Sequence, residues 1–277
     1  STHIQVIRTS GDKISGREAF DASVSTKGLF VKEIQEALLS GFIDVSVHSM
    51  KDLPTELPAE LCLGAIPRRE DPRDAIIAVS PIHSLVELPV GATVGTSSLR
   101  RRVQLASLRK DLFISEIRGN IGTRIQKVKA AGLDAIVLAV AGLKRLELQH
   151  AIDYIFPIED MIPAAGQGAL AVEIRRDDEL TKQLVDPLDN QETRTCVTVE
   201  RLFLRHLGGG CRFPIGAHAF LENSMAVFSA FVGNPTNGKV IRKISSGAAD
   251  DLEGLAMESL EYLLSKGARE ILKELEY

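Results

Sequence analysis

Apolar positions along the chain alternate between short strand-like runs and stripes at helical spacing. Ile4–Arg8 alternates apolar and polar side chains as a short strand does. It leads into a polar segment, Thr9–Thr26, that carries Gly11, Gly16 and four serines. A connection this long is either a mobile flap over a site or a passive loop. After Lys27-Gly28, the residues Leu29, Phe30, Ile34 and Leu38 recur at helical spacing, predicting a helix over Leu29–Ser40 that Gly41 stops. Phe42–Val47 reads as a strand that runs out into a charged loop holding Lys51 and Asp52. Leu61–Ile66 reads as another strand, with Cys62 as a small buried hydrophobe.

Past the charged turn Pro67–Arg73, three strand-then-helix units follow in succession. Thr93–Gly95 passes through Thr96, Ser97 and Ser98, natural N-caps, into a helix with Leu99, Val103, Leu105 and Ala106. Leu112–Ile117 precedes Arg118-Gly119-Asn120 and a helix with Ile121, Ile125 and Val128. Ala135–Val140 is almost wholly apolar, as a strand buried on both faces is, and precedes Ala141-Gly142-Leu143-Lys144-Arg145. Alternating units of this kind imply an α/β fold with a mostly parallel sheet, and right-handed crossovers put all three strand-to-helix turns on one edge. Ala169–Ile174 is a further buried strand. A helix over Gln191–Leu207 sets Cys196, Val199, Phe203 and Leu207 on one stripe. Strands over Ala217–Gly233 and Val240–Ser246 and helical turns over Leu252–Leu275 complete a small α+β domain.

At 277 residues the chain is too long for one ordinary core, so two or three domains are expected. Apolar residues at 44% and charged residues at 25% describe an ordinary soluble protein. No apolar run approaches about 18 residues and no signal-peptide pattern opens the chain, so a cytoplasmic protein without a membrane partner is expected. Cysteines 62, 196 and 211 form no C-x-x-C spacing, which argues against disulfides and structural zinc; no metal site is expected. A net charge of −4 gives no general attraction for nucleic acid, and 5% aromatics without Trp gives no stacking platform. Basic chemistry must come from local clustering.

That clustering is specific. Arg100 and Arg101 follow the first unit's strand, Arg118 and Arg124 the second, Lys144 and Arg145 the third. On one sheet edge, beside helix N-termini, they form either a pocket for a polyanion or a solvated basic face. Lys51-Asp52 is either a turn with a surface ion pair or a site that holds an anionic substrate and steadies a cation formed from it. Cys211 stands behind Gly208-Gly209-Gly210, where something bulky can approach the backbone; the thiol is either inert or reactive.

Several motifs together carry a resemblance. They are His-Ser-Met-Lys-Asp-Leu-Pro at 48–54, Arg-Glu-Asp-Pro-Arg-Asp-Ala at 69–75 and Val-Gly-Thr-Ser-Ser-Leu-Arg-Arg at 94–101. Ile-Arg-Gly-Asn at 117–120, Gly-Thr-Arg at 122–124, Ala-Gly-Leu-Lys-Arg-Leu at 141–146 and Gly-Gly-Cys-Arg-Phe-Pro-Ile-Gly at 209–216 complete the set. Over nearly all of its length the chain resembles the porphobilinogen deaminases, or hydroxymethylbilane synthases. These transferases of haem biosynthesis condense four porphobilinogens stepwise and release a linear tetrapyrrole.

The resemblance implies two periplasmic-binding-protein-like domains, 1–68 with 169–187 and 74–162, and a third, 191–277, that carries the cofactor cysteine. It implies a dipyrromethane held by a thioether at Cys211, with Lys51, Asp52, Ser98, Arg100, Arg101, Arg118, Arg124 and Arg145 around it. Asp52 is implied as the catalytic residue, and Phe30, Arg118, Arg124, Arg145 and Gln167 as contacts of porphobilinogen. A monomer is implied. Family members carry a strand and helix with a Thr-Arg-x-Ser-x-Leu-Ala motif ahead of the point where this chain starts. The first domain is therefore expected to lack both, and activity to be incomplete. Each porphobilinogen brings an acetate and a propionate, so a growing chain calls for several arginines, while loss of ammonia leaves an azafulvene cation that Asp52 is placed to stabilise. The other reading is a non-catalytic two-lobed binding protein for a small carboxylate or other anion, which needs the arginines but not Cys211. Intact mass separates the two.

Overall fold

The structure, a computed structural model, describes residues 2–7, 31–208 and 213–275. The expected flap, Phe30 and Cys211 lie outside the described residues. In chain order the first elements are α1 (Lys32–Leu39), β1 (Val45–Ser49), β2 (Leu61–Ala65), β3 (Asp74–Ala78), β4 (Thr93–Gly95) and α2 (Leu99–Leu108). Next come β5 (Phe113–Ser115), α3 (Ile121–Ala130), β6 (Ala135–Ala139), α4 (Val140–Arg145), β7 (Tyr154–Ile155) and β8 (Leu170–Arg175). The last are α5 (Glu179–Val185), α6 (Gln191–Leu207), β9 (Ile215–Glu222), β10 (Met225–Gly233), β11 (Val240–Ala248), α7 (Leu252–Ser265) and α8 (Ala268–Lys273). They make a mixed α/β protein of two compact units, Ser1–Arg68 with Ala169–Arg194, and Arg69–Gly168 with Thr195–Tyr277.

In the first unit, β8 is the centre of a three-stranded sheet ordered β1-β8-β2 and pairs antiparallel on both sides. Ala65, Val172, Ile174 and Val185 form its apolar interior, and the partly buried Cys62 packs against them. Arg175 closes the end of α1 by donating from Nη1 to the carbonyls of Leu38 and Ile43, at 3.0 and 2.7 Å. The Leu38 carbonyl lies in the last turn, where a helix leaves oxygens without i+4 intrahelical partners. The strand expected over Ile4–Arg8 is not found in its described part. Residues 2–7 form no ladder, and Ile4 is 92% exposed. Alternation alone does not hold a strand; its backbone groups need a neighbour to pair with.

The second unit contains a five-stranded sheet ordered β5-β4-β6-β3-β7. Parallel pairing joins β4 to β5 and to β6, so the three strand-to-helix turns do share one edge, as the sequence predicts. β3 and β7 are added antiparallel. Both faces are covered, because successive residues of a strand point to opposite sides. Ile76, Val94 and Val137 belong to one apolar cluster, and Ala75, Ile77, Ile136 and Leu138 to the other. A separate antiparallel meander, ordered β11-β10-β9, is covered by apolar side chains of α6, α7 and α8. Its core includes the predicted α6 stripe of Cys196, Val199, Phe203 and Leu207, and Phe203 meets Phe228 with ring centroids 5.3 Å apart.

Candidate functional site

In the first unit, β1 ends in a single 3-10 turn over Met50–Asp52. The turn is fixed from both sides: Met50 and Leu53 are buried, and the Met50 N–H donates to the Ala169 carbonyl at 3.1 Å. Between these apolar pins Lys51 is half-buried and Asp52 exposed. A rigid strand end presenting a solvent-reaching carboxylate is what a reacting centre requires of its scaffold.

In the second unit, the turns after β4, β5 and β6 bring the predicted basic residues to one edge but do not leave them equivalent. Ser98 caps α2, its hydroxyl accepting from the Arg101 N–H, and thereby sets Arg100 and Arg101 in the first turn of the helix. Both of those guanidiniums are buried. Arg100 forms an ion pair with Asp74 at 2.8 Å and donates to the Ile162 carbonyl at 2.7 Å. Arg101 donates through Nε and Nη2 to Asp74 Oδ1, at 3.1 and 2.8 Å, and through Nη1 to the Val137 carbonyl at 3.0 Å. Gln167, expected at the substrate, is buried as well and donates from Nε2 to Asp74 Oδ1 at 2.9 Å and to the Pro72 carbonyl at 2.7 Å. The sequence assigned these side chains to an incoming carboxylate. An internal one already engages them.

Asp74 is the functional-region residue that sequence reasoning missed. Burial pushes its carboxyl up, but Arg100 and Arg101 together outweigh burial and bring it down to about 2. Two guanidiniums on one carboxylate leave a net positive charge beside the turns.

The remaining cations divide by partner. Arg118 pairs with Glu116 and Lys144 with Glu70, both at 2.8 Å and well exposed, so each is a surface ion pair of small worth. Arg124 and Arg145 differ. Among the described residues neither has a carboxylate partner: Arg124 donates to the Gly119 carbonyl at 2.6 Å and Arg145 to the Gly168 carbonyl at 2.7 Å. Burial, and after it the nearby Arg101 charge, lower the Arg124 pKa, the mark of a cation in a positive surrounding. An anion placed there relieves that strain. Gly119 adopts φ +122°, and a Cβ there would stand 2.9 Å from Thr123, so the turn that offers its carbonyl to Arg124 needs glycine.

Among the described residues no group of three metal-ligating side chains occurs, and no helix is long and apolar enough to cross a membrane.

Comparison with known proteins gives a concordant result. Residues 1–183 match the family model described as porphobilinogen deaminase, dipyrromethane cofactor binding domain, and residues 194–264 match that of the porphobilinogen deaminase C-terminal domain. The chain is 46% identical over 269 residues to the porphobilinogen deaminase of Roseiflexus sp. (strain RS-1), covering 97% of this chain and 88% of the relative. It is 45% identical over 269 residues to that of Roseiflexus castenholzii (strain DSM 13941 / HLO8), with the same coverage. A solved Salmonella typhimurium periplasmic binding protein described as highly specific for arginine aligns over 59% of this chain and 70% of its own, at 18% identity and a TM-score of 0.35. A likeness at that score supports no inference about this chain.

Proposed function

The chain belongs to the porphobilinogen deaminase family, and we propose that within it Asp52 performs the chemistry, Cys211 anchors the cofactor, and Arg118, Arg124 and Arg145 hold substrate carboxylates. The activity is that of the family: a transferase of porphyrin biosynthesis that deaminates porphobilinogen and condenses four units onto a dipyrromethane, releasing a linear tetrapyrrole. Arg124 carries the assignment of the anion site, because it is a half-buried guanidinium in a positive surrounding whose protein partner is a carbonyl.

A dipyrromethane bears several carboxylates and no cation, which fits a site where Arg124 and Arg145 donate to backbone carbonyls rather than to carboxylates. When bound it supplies a pyrrole carbon able to attack an electrophile. The residues of this chain do the rest. Arg124 and Arg145 bind carboxylates with charge-assisted hydrogen bonds, and Arg118 joins them by giving up a solvent-exposed partner. Ser98, Arg100 and Arg101, with Asp74, keep the first turn of α2 rigid and net positive. Lys51 attracts a substrate carboxylate beside Asp52. Loss of ammonia leaves a cation on the substrate, and a carboxylate fixed on a strand end offsets it without reorganising. Phe30 and Gln167 complete the proposed substrate contacts, Gln167 by fixing Asp74.

The division into domains 1–68 with 169–187, 74–162 and 191–277 belongs to the same proposal. It is supported by the apolar cluster of α6 and the meander, which draws on Ala165 and residues from Cys196 onward, while the two clusters of the five-stranded sheet draw on Ala75–Met161. A cytoplasmic monomer with porphobilinogen as its small-molecule partner completes the reading; light scattering tests the monomer.

The deciding experiment is Asp52→Asn in cofactor-loaded protein, followed by single-turnover condensation. Only an interaction stronger in the transition state than in the ground state changes that step, so kcat should fall about 10²-fold or more with a much smaller change in substrate binding. Normal condensation in stable, loaded Asp52→Asn protein removes Asp52 from the mechanism.

A further inference from the structure

β1 is inside out. Its buried positions are Ser46 and His48, while Val45 and Val47, the latter 60% exposed, face outward. Hydrophobicity alone favours the opposite facing, and because side chains alternate with period two, a one-residue slip against β8 would produce it. Something must therefore hold the observed register.

Four polar side chains from three elements do so. Glu173 on β8 is fully buried, and its Oε1 accepts from Gln35 Nε2 of α1 at 2.7 Å. Its Oε2 lies 3.0 Å from His48 Nε2 and accepts from the Ser46 hydroxyl at 3.4 Å, and that hydroxyl is 2.9 Å from the same ring nitrogen. A carboxylate only accepts, so Nε2 carries the hydrogen toward Glu173. Ser46 is the register partner of Glu173, and His48 sits two residues further along the same face, opposite Ala171. In a slipped strand both would leave the carboxylate, and a buried, unpaired carboxylate is costly.

The register matters because the 3-10 turn begins one residue after the ladder ends, and Met50 bonds Ala169 in continuation of it. A slip of one residue displaces Lys51 and Asp52 by roughly 3.4 Å. We propose that the buried Gln35–Ser46–His48–Glu173 network is a positioning device for Asp52, acting by selecting the facing and register of β1. The proposal rests on the reading of Asp52 as the catalytic carboxylate.

A double-mutant cycle on the loaded enzyme tests it. Glu173→Gln keeps the size of the side chain but loses the charge and one acceptor oxygen. It should lower kcat about tenfold or more with less than about a twofold change in KM, and in an Asp52→Asn background its effect should vanish, since coupled residues are not additive. Amide exchange at Met50 and Leu53 should quicken in Glu173→Gln relative to β2. If Glu173→Gln does not fold, Ser46→Ala, which removes one hydroxyl, carries the same cycle. Effects that multiply across the cycle, or unchanged exchange at Met50 and Leu53, overturn the proposal while leaving Asp52 in place. Normal turnover of Asp52→Asn alone overturns the reading of Asp52, and the proposal with it.

Discussion

Replacing Asp74 with Asn keeps the shape of the side chain and an acceptor oxygen but removes the carboxylate that pairs with both Arg100 and Arg101. Two figures bound the cost. The carboxyl stands at about 2 against an ordinary 3.8, so its charged form is favoured by about 2 kcal/mol, at about 1.36 kcal/mol per pH unit. Removing one partner of a buried ion pair also leaves the other charge uncompensated, which costs about 3–5 kcal/mol. The second figure is the relevant one, because two buried guanidiniums remain after the substitution. Urea unfolding at pH 7 should therefore show Asp74→Asn less stable by about 3–5 kcal/mol. A carboxyl whose folded-state pKa is depressed gives stability that is present above about 4 and lost as pH falls through 2. The parent should lose that contribution between pH 4 and 2, and Asp74→Asn should lack this part of the acid transition. Changing Arg100 and Arg101 to Met in the same protein should recover much of the loss, since the charges that Asp74 offset are then gone. An Asp74→Asn protein within about 0.5 kcal/mol of the parent refutes the account, because effects of that size are ordinary for surface substitutions.

Three further outcomes are expected from the same geometry. Burial, and after it the neighbouring Arg69, hold His218 neutral down to about 3. Stability due to His218 is thus present above pH 6.5 and lost as pH falls toward 3, by about 1.4 kcal/mol per pH unit, and His218→Gln should flatten a pH series of urea midpoints between 6 and 4. Arg124→Ala should leave the fold intact and slow or stall chain growth about 10- to 100-fold, the worth of one charge-assisted hydrogen bond of about 1.5–3 kcal/mol; mass spectra of the loaded protein and turnover read both. Cys211→Ser should fold but carry no chromophore, because oxygen is the poorer nucleophile, and an Ehrlich-type colour reaction on the purified protein checks it.

Much of the scaffold is legible in the sequence, for identifiable reasons. β4 and α6 fall within the predicted ranges because their signals are local: a hydroxyl-rich helix start after Thr93–Gly95, and a four-residue apolar stripe from Cys196 to Leu207. The shared edge of the three turns comes from the handedness of crossovers, a rule that needs no contact information. β3 escaped because Asp74 and Arg73 hide a strand of five residues behind a charged turn, although Ala75, Ile76 and Ile77 are all buried. Residues 2–7 went the other way, carrying a strand pattern without a strand neighbour among the described residues.

Two facings at the site lie beyond pattern reading for one reason, which is that periodicity identifies faces without saying which face is inside. In α2, three consecutive arginines look like one solvated start of a helix, yet Arg100 shares a buried face with Val103 and Gln104, whose side chain bonds both backbone groups of Ile162, at 3.1 and 2.9 Å. A buried Gln at that spacing was the available signal that the first turn faces inward, and an Asp opening an apolar strand was the signal for what it faces. β1 repeats the pattern with opposite polarity, turning its valines out and its serine and histidine in. In both, an acidic side chain from another strand, Asp74 for α2 and Glu173 for β1, holds polar side chains on the buried face. Each of these carboxylates sits behind a segment proposed to do chemistry. Burying charge is costly, and the cost is tolerable where a group must be held in one place; elsewhere in the same sheets the equivalent positions are Ile, Val and Ala.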